Sequence, residues 1–169
     1  MNPDLFWIPG LWRGRLAIAT RPRGGDWLED EAAGWCRAGV DVIVSLLENE
    51  EASQLQLADE GDVAESKGID FISFPIPDRG VPASTPAVLS LLRKIVGALE
   101  EGKSVAVHCR QGIGRSGLVA AGALMSSGMG TEKAIELVST ARGVAVPETP
   151  AQLEWLHHLP SERPVVTAS

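Results

Sequence analysis

The chain has 169 residues, 44% of them hydrophobic and 22% charged, with a formal net charge of −7 at pH 7. That length and apolar share suit one domain over 1–169 with its own core, at about 16–156. The acidic balance argues against a nucleic-acid surface, and two cysteines suit a reducing compartment rather than a disulfide scaffold.

The opening MNPDLFWIPG has no basic stretch followed by a long apolar run, so no secretory signal is expected. No segment reads as a membrane span, and a cytoplasmic location follows by default. Residues 1–5 and 160–169 carry no readable signal. Phe6–Ile8 and Arg15–Ala19 read as short strands around Pro9-Gly10. Arg21 and Arg23, in Thr-Arg-Pro-Arg-Gly-Gly, read as a solvated turn, with membership of a positive patch as the alternative. Asp26 is placed to cap a helix over 27–38 that Gly39 ends. Cys36 on that helix reads as a buried small hydrophobe, with a redox partner for Cys109 as the alternative. Val40–Leu47 is a Val-rich apolar run, which predicts a strand buried on both faces.

Residues 50–67 are acidic and read as helix, broken near Gly61, before a strand at Ile69–Phe74. Thr85 is placed to cap a helix over 86–100, with Pro86 in its first turn and Gly102 past its end. Val105–His108 reads as the central strand, and helices at about 115–127 and 131–141 close the domain. A short amphipathic helix follows Pro147 and Pro150. Strands alternating with helices predict an α/β fold: a central, mainly parallel sheet of about four to five strands, flanked by helices on both faces.

The most informative run is residues 108–117, His-Cys-Arg-Gln-Gly-Ile-Gly-Arg-Ser-Gly, between that strand and the next helix. A strand that turns tightly into a helix N-terminus aims free backbone N–H groups and the positive dipole end at one point, which suits an anion. Curled loop N–H groups do the same as a nest. Here the nest contains Cys109, so more than binding is expected. A free thiol is mostly protonated at neutral pH. The N–H groups and the permanent charge of Arg115 both favour the thiolate, and Arg115 also offers a planar fork for two phosphate oxygens. Gly112 and Gly114 permit φ > 0 and close approach to a ligand. His108 is expected to orient the loop through hydrogen bonds, and Ser116 to donate its hydroxyl proton to the sulfur.

Upstream, Phe-Ile-Ser-Phe-Pro-Ile-Pro-Asp-Arg-Gly-Val-Pro carries a strand into a Pro/Gly-rich loop with one carboxyl group. Asp78 precedes Cys109 by 31 residues. Prolines 75, 77 and 82 stiffen this loop and Gly80 gives it one soft joint. Glu48, Glu50 and Asp70 are weaker candidates for an acid, because no stiff loop presents them.

The loop resembles the H-C-x5-R-S/T signature of the cysteine-dependent protein phosphatases. HCRQGIGRSG is most similar to the dual-specificity branch and its bacterial relatives, and Pro-Ile-Pro-Asp with Gly-Ile-Gly-Arg-Ser places it near the kinase-associated subgroup. The resemblance implies a dual-specificity-phosphatase-like fold and hydrolysis of phosphotyrosine, with phosphoserine and phosphothreonine as further substrates, in a phosphorylated protein or peptide. It implies Cys109 as nucleophile, Asp78 as general acid, Arg115 and the loop residues His108, Arg110, Gln111, Gly112, Ile113 and Gly114 as the phosphate site, and Arg79 beside it. Gln152 matches the position whose amide holds the hydrolytic water. That match is partial, since Glu148 stands where tyrosine-specific enzymes usually have Gln, and capping and packing of the following helix by Thr149, Leu153 and Trp155 is the competing reading. No metal or other cofactor is required, because Arg and fixed N–H dipoles supply the charge stabilisation.

The chain contains no tyrosine. It therefore lacks the aromatic wall that tyrosine-specific enzymes build, and a shallower cleft is expected. Inositol-phosphate enzymes tend to carry extra lysines in the loop, where this chain has Arg110, Gln111 and Ile113. That activity, a sulfur-transfer enzyme and a phosphate-dependent binding module without turnover are the alternatives.

Overall fold

A computed structural model describes residues 4–160. Five strands form one sheet: β1 (Leu5–Ile8), β2 (Leu16–Ala19), β3 (Val42–Ser45), β4 (Asp70–Ser73) and β5 (Val105–His108), in the order β1-β2-β5-β3-β4. Only β1 runs antiparallel, at the edge beside β2; the other pairings are parallel. Seven helices are described: α1 (Leu28–Arg37), α2 (Asn49–Gln54), α3 (Glu60–Ser66), α4 (Thr85–Glu100), α5 (Gly114–Ser126), α6 (Thr131–Arg142) and α7 (Pro150–His158). The expected mainly parallel sheet with helices on both faces is what forms. Among the described residues, no helix is long and apolar enough to cross a membrane.

Strand side chains alternate between the two faces of a sheet, and here the alternation sorts residues by size. Ala17, Ala19, Ile43 and Ala106 face one way and cluster with Ala32 and Trp35 of α1 and Ala64 of α3. Three alanines on this face leave room for one large ring, and Trp35 fills it at 1% exposure. Leu16, Ile18, Val42, Val44, Val105 and Val107 face the other way and meet α4, α5, α6 and α7 in a larger core. Each fully buried Leu, Ile or Val there contributes roughly 1.5–3 kcal/mol. The sheet's register brings Ala19 and Ser45 level with His108, so three central strands end together. The chain leaves that shared edge through residues 109–113 and enters α5, whose residues 114–125 are all buried.

The same alternation separates the two residues at the end of β5. His108 shares parity with Ala106 and falls on the Trp35 side, while Cys109 shares parity with Val107 and joins the larger core.

Several local expectations need correction. Asp26 does not cap α1; it sits in a 3₁₀ turn, Gly25–Trp27, and the residue at the α1 N-cap is Trp27, which makes no side-chain cap bond. Ser84, not Thr85, caps α4: its Oγ accepts from the Ala87 N–H at 3.3 Å, with Pro86 in the first turn. The acidic stretch breaks between Gln54 and Glu60, not at Gly61, which lies inside α3 where a side chain would collide with Phe71. Cys36 is exposed rather than buried. α1 buries Leu28, Ala32 and Trp35, and the residue after Trp35 turns about 100° away from that stripe. Of the ends that carry no readable signal, 1–3 and 161–169 lie outside the described residues, while Leu5 already belongs to β1.

Candidate active site

The loop after β5 builds the floor of a cleft of about 70 Å³, lined by Asp78, Arg79, Cys109, Arg110, Gln111, Gly114, Arg115 and Glu148. Cys109 is 2% exposed. The first turn of α5 begins at Gly114, so the leading N–H groups of that helix have no intrahelical acceptor. Gly114 is closely approached: a Cβ there would stand 3.0 Å from Gln152 Oε1 and 3.1 Å from Glu148 Cβ, so those side chains would have to shift.

Arg115 is 2% exposed and held on several sides. Its Nη1 donates to Glu51 Oε1 at 2.6 Å and to the Ile76 carbonyl at 2.9 Å, and its Nη2 donates to Glu51 Oε2 at 3.0 Å. Asp78 Oδ1 lies 3.2 Å from the same Nη2. Burial alone would push the Arg115 pKa down; the Glu51 hydrogen bond and the negative charges of Cys109, Glu51 and Asp78 more than reverse this and raise it. For Glu51, burial pushes the carboxyl up, but hydrogen bonds from Arg115 and the Glu48 N–H, with the charges of Arg115 and Arg110, hold it below its ordinary value. Glu51 was not read from the sequence. A buried guanidinium requires a carboxylate partner, but nothing in the sequence singles out Glu51 from its neighbours Glu48 and Glu50. The helix phase of α2 does so, by turning Glu51 inward.

Asp78 arrives on the stiff loop as expected. Residues 77–80 form a turn in which the Gly80 N–H donates to the Pro77 carbonyl at 2.8 Å. Arg79 occupies the left-handed region at φ 61°, a conformation unfavourable by roughly 1–2 kcal/mol for a residue with a Cβ. Ties to the start of α7 hold it: Arg79 Nη1 lies 3.6 Å from Glu148 Oε2, and Gln152 Nε2 donates to the Gly80 carbonyl at 3.0 Å.

The remaining expected residues divide. Arg79, Arg110, Gln111 and Gly114 line the cleft; His108, Gly112 and Ile113 do not. His108 is wholly buried beneath the loop, where its Nε2 meets Glu60 Oε2 at 2.5 Å and its Nδ1 lies 3.3 Å from the Cys109 carbonyl. Its ring stacks on Trp35 with centroids 6.2 Å apart. It is therefore a support of the loop and not a contact of the cleft. Glu60, its partner from α3, was also missed. The hydrogen bond expected from Ser116 to the sulfur is absent: the Ser116 hydroxyl is buried in the first turn of α5 with no partner. Gln152 does not face the cleft. Its Oε1 accepts from the Glu148 and Thr149 N–H groups at 3.0 and 3.2 Å in a capping box with Thr149, and its Nε2 is taken by Gly80. Thr149 caps α7 as the competing reading had it, with Gln152 as a reciprocal partner that the sequence did not single out, while Leu153 is exposed. Arg23 pairs with Glu31 at 2.7 Å and stacks on Trp27, and neither it nor Arg21 lines the cleft.

A sulfur, a buried guanidinium, free helix N–H groups and a carboxyl group thus share one cleft, which can hold a tetrahedral oxyanion against a nucleophile.

Known proteins resemble this chain in sequence and fold. The chain is 35% identical to Tk-PTP in its active form, over 94% of this chain and 97% of that one, with a TM-score of 0.77. A kinase associated phosphatase with its catalytic cysteine replaced by serine shares the fold at a TM-score of 0.81, with 20% identity and 93% of each chain covered. Among curated proteins, the putative tyrosine phosphatase 197R of Invertebrate iridescent virus 6 is 34% identical over 93 residues, 53% of this chain and 34% of the viral protein. Cyclin-dependent kinase inhibitor 3 of Rattus norvegicus is 27% identical over 122 residues, 71% of this chain and 57% of the rat protein. The chain thus spans less than two thirds of the length of these two curated relatives. Residues 19–129 match the family described as "Tc-R-P: Polymorphic toxin system, DSP-PTPase phosphatase", a span that includes Asp78, Cys109 and Arg115, and the chain belongs to that family.

Proposed function

We propose that the chain hydrolyses phosphomonoesters, phosphotyrosine in proteins first among them, through a cysteinyl-phosphate at Cys109. The observation that carries this reading is the meeting of Cys109, Arg115 and Asp78 around one small cleft. The Cys109 thiolate attacks phosphorus while Arg115 and the loop N–H groups hold the equatorial oxygens. The phosphorus–ester oxygen bond breaks and the Asp78 carboxyl proton goes to the leaving oxygen. Water then attacks phosphorus, gives its proton to the Asp78 carboxylate, and the sulfur–phosphorus bond breaks to return the thiolate. Binding without turnover is disfavoured, since a pure binder needs neither the thiol nor the acid.

Asp78→Asn keeps the shape and removes the transferable proton. Its kcat on a phosphate ester with a poor leaving group should fall by about 10²–10⁴-fold, with a much smaller loss on p-nitrophenyl phosphate, whose phenolate leaves unaided. Equal losses on both substrates would remove Asp78 from the acid role.

The cleft lining contains no aromatic side chain. An aromatic pair contributes roughly 0.5–1.5 kcal/mol, so without one the KM for a phosphothreonine peptide should lie within about tenfold of that for the matched phosphotyrosine peptide. A larger gap in steady-state assays would place a specificity element outside this cleft.

A further inference from the structure

The loop is gripped from outside as well as from beneath. Arg142, the last residue of α6, does not line the cleft. Its Nε donates to the Gly112 carbonyl at 2.8 Å and its Nη2 to the Gln111 carbonyl at 3.2 Å. Its guanidinium carbon lies 4.2 Å from the centre of the Phe6 ring on β1. Gly143 comes next, in the left-handed region at φ 82°, and ends the helix there.

A trans peptide is planar, so its C=O and N–H point in opposite directions. The Gln111 carbonyl shares a peptide with the Gly112 N–H, and the Gly112 carbonyl with the Ile113 N–H. Drawing both carbonyls outward to Arg142 turns both N–H groups to the inner, concave side of the loop. Gly112, at φ 70°, is the joint between these two peptides. With no Cβ, a glycine lets the flanking peptide planes rotate at little cost. Left alone, the two N–H groups would sample both directions.

We infer that Arg142 is a positioning residue for the phosphoryl group, which fixes two peptide planes so that their N–H groups stay aimed at its oxygens. The planar fork matters, because a single guanidinium reaches two carbonyls at once. Phe6 holds that fork flat against the hairpin. The inference rests on the phosphatase reading for the identity of the anion. Those N–H groups hold the oxygens in the ground state and the transition state alike. Losing them therefore raises KM and leaves kcat little changed, the pattern of uniform binding.

The test uses inorganic phosphate as the probe, titrated by calorimetry into wild-type protein and into Arg142→Met, Arg142→Lys and Phe6→Leu, beside thermal melts and p-nitrophenyl phosphate kinetics. Arg142→Met should weaken phosphate binding by about tenfold or more, as expected for two weakened hydrogen bonds. KM should rise in step and kcat hold within about twofold. Arg142→Lys keeps the charge and loses the fork, so it should fall between; Phe6→Leu should show a shift of about two- to threefold. If Arg142→Met fails to fold, Arg142→Lys carries the comparison. A folded Arg142 variant with wild-type phosphate affinity and KM would overturn the proposal, as would a loss confined to kcat. Wild-type protein that binds phosphate in an Arg142-dependent way and turns over no ester would remove the phosphatase reading while upholding the clamp.

Discussion

Cys109→Ser should lower turnover of an aryl phosphate by about four orders of magnitude or more, with the melting temperature and phosphate binding close to wild type. The substitution exchanges one atom in a site that is 2% exposed, so packing is preserved. What changes is the charge. The negative charge of Cys109 is one of the influences that raise the Arg115 pKa. A serine hydroxyl stays protonated beside the same guanidinium and is a poor nucleophile without a base, and no histidine lines the cleft to serve as one. Removing a negative charge from the cleft should leave phosphate affinity equal to wild type or somewhat tighter. The measurement is steady-state kinetics on p-nitrophenyl phosphate beside calorimetric titration of phosphate. A serine variant with full activity would end the cysteinyl-phosphate mechanism; one that loses phosphate binding along with turnover would show that the loop had collapsed.

Glu51→Gln has the second large effect, and it acts through Arg115. The carboxylate takes two hydrogen bonds from a guanidinium that is 2% exposed. Without it, the cation is left buried with Asp78 as its remaining carboxylate partner. Breaking one side of a buried pair destabilises by roughly 3–5 kcal/mol, and glutamine, which still accepts one bond, should sit at the low end. For a domain of this size that is a fall in melting temperature of about 6–12 °C. Activity should fall further than stability accounts for. A guanidinium released by Glu51 swings toward Asp78, and misplacement by about 1 Å is enough to lose about 10²-fold.

The pH dependence has a definite sign. Glu51 is held below its ordinary value in the folded state, so its contribution is present above the unfolded carboxylate pKa and is lost as pH falls through the folded value. The stability gap between wild type and Glu51→Gln should therefore be widest near neutrality and close on acidification. The raised Arg115 titrates above any working pH and contributes nothing to this window. Denaturant melts at several pH values check it: a gap that widens with acid would contradict the ion pair.

The residues behind these two effects differ in how far the sequence reveals them. Cys109, Arg115 and Asp78 were legible because each belongs to a local run whose backbone consequence can be worked out: strand, glycine turn, helix start, or a proline-stiffened loop. The parallel sheet was legible because Val-rich runs alternate with helical stretches. The supports were not. Glu51, Glu60 and Arg142 lie 64, 48 and 30 residues from the groups they hold, and each is one charged residue among many. Gln152 shows the same limit from the other side: its position suggested a water-binding amide, and its two ends are taken by the cap of α7 and the acid loop.

Short-range covalent order thus determined the local settings of Cys109, Arg115 and Asp78 and the alternation of strands and helices, because turn chemistry and side-chain period act over a few residues. Which side of the sheet His108 would enter, and which carboxylates would neutralise the buried arginine and histidine, depended on three strands ending in register and on the phase of α2 and α3. Only the assembled sheet and its helices set those relations, since a buried charge selects its partner by distance in space and not by separation along the chain.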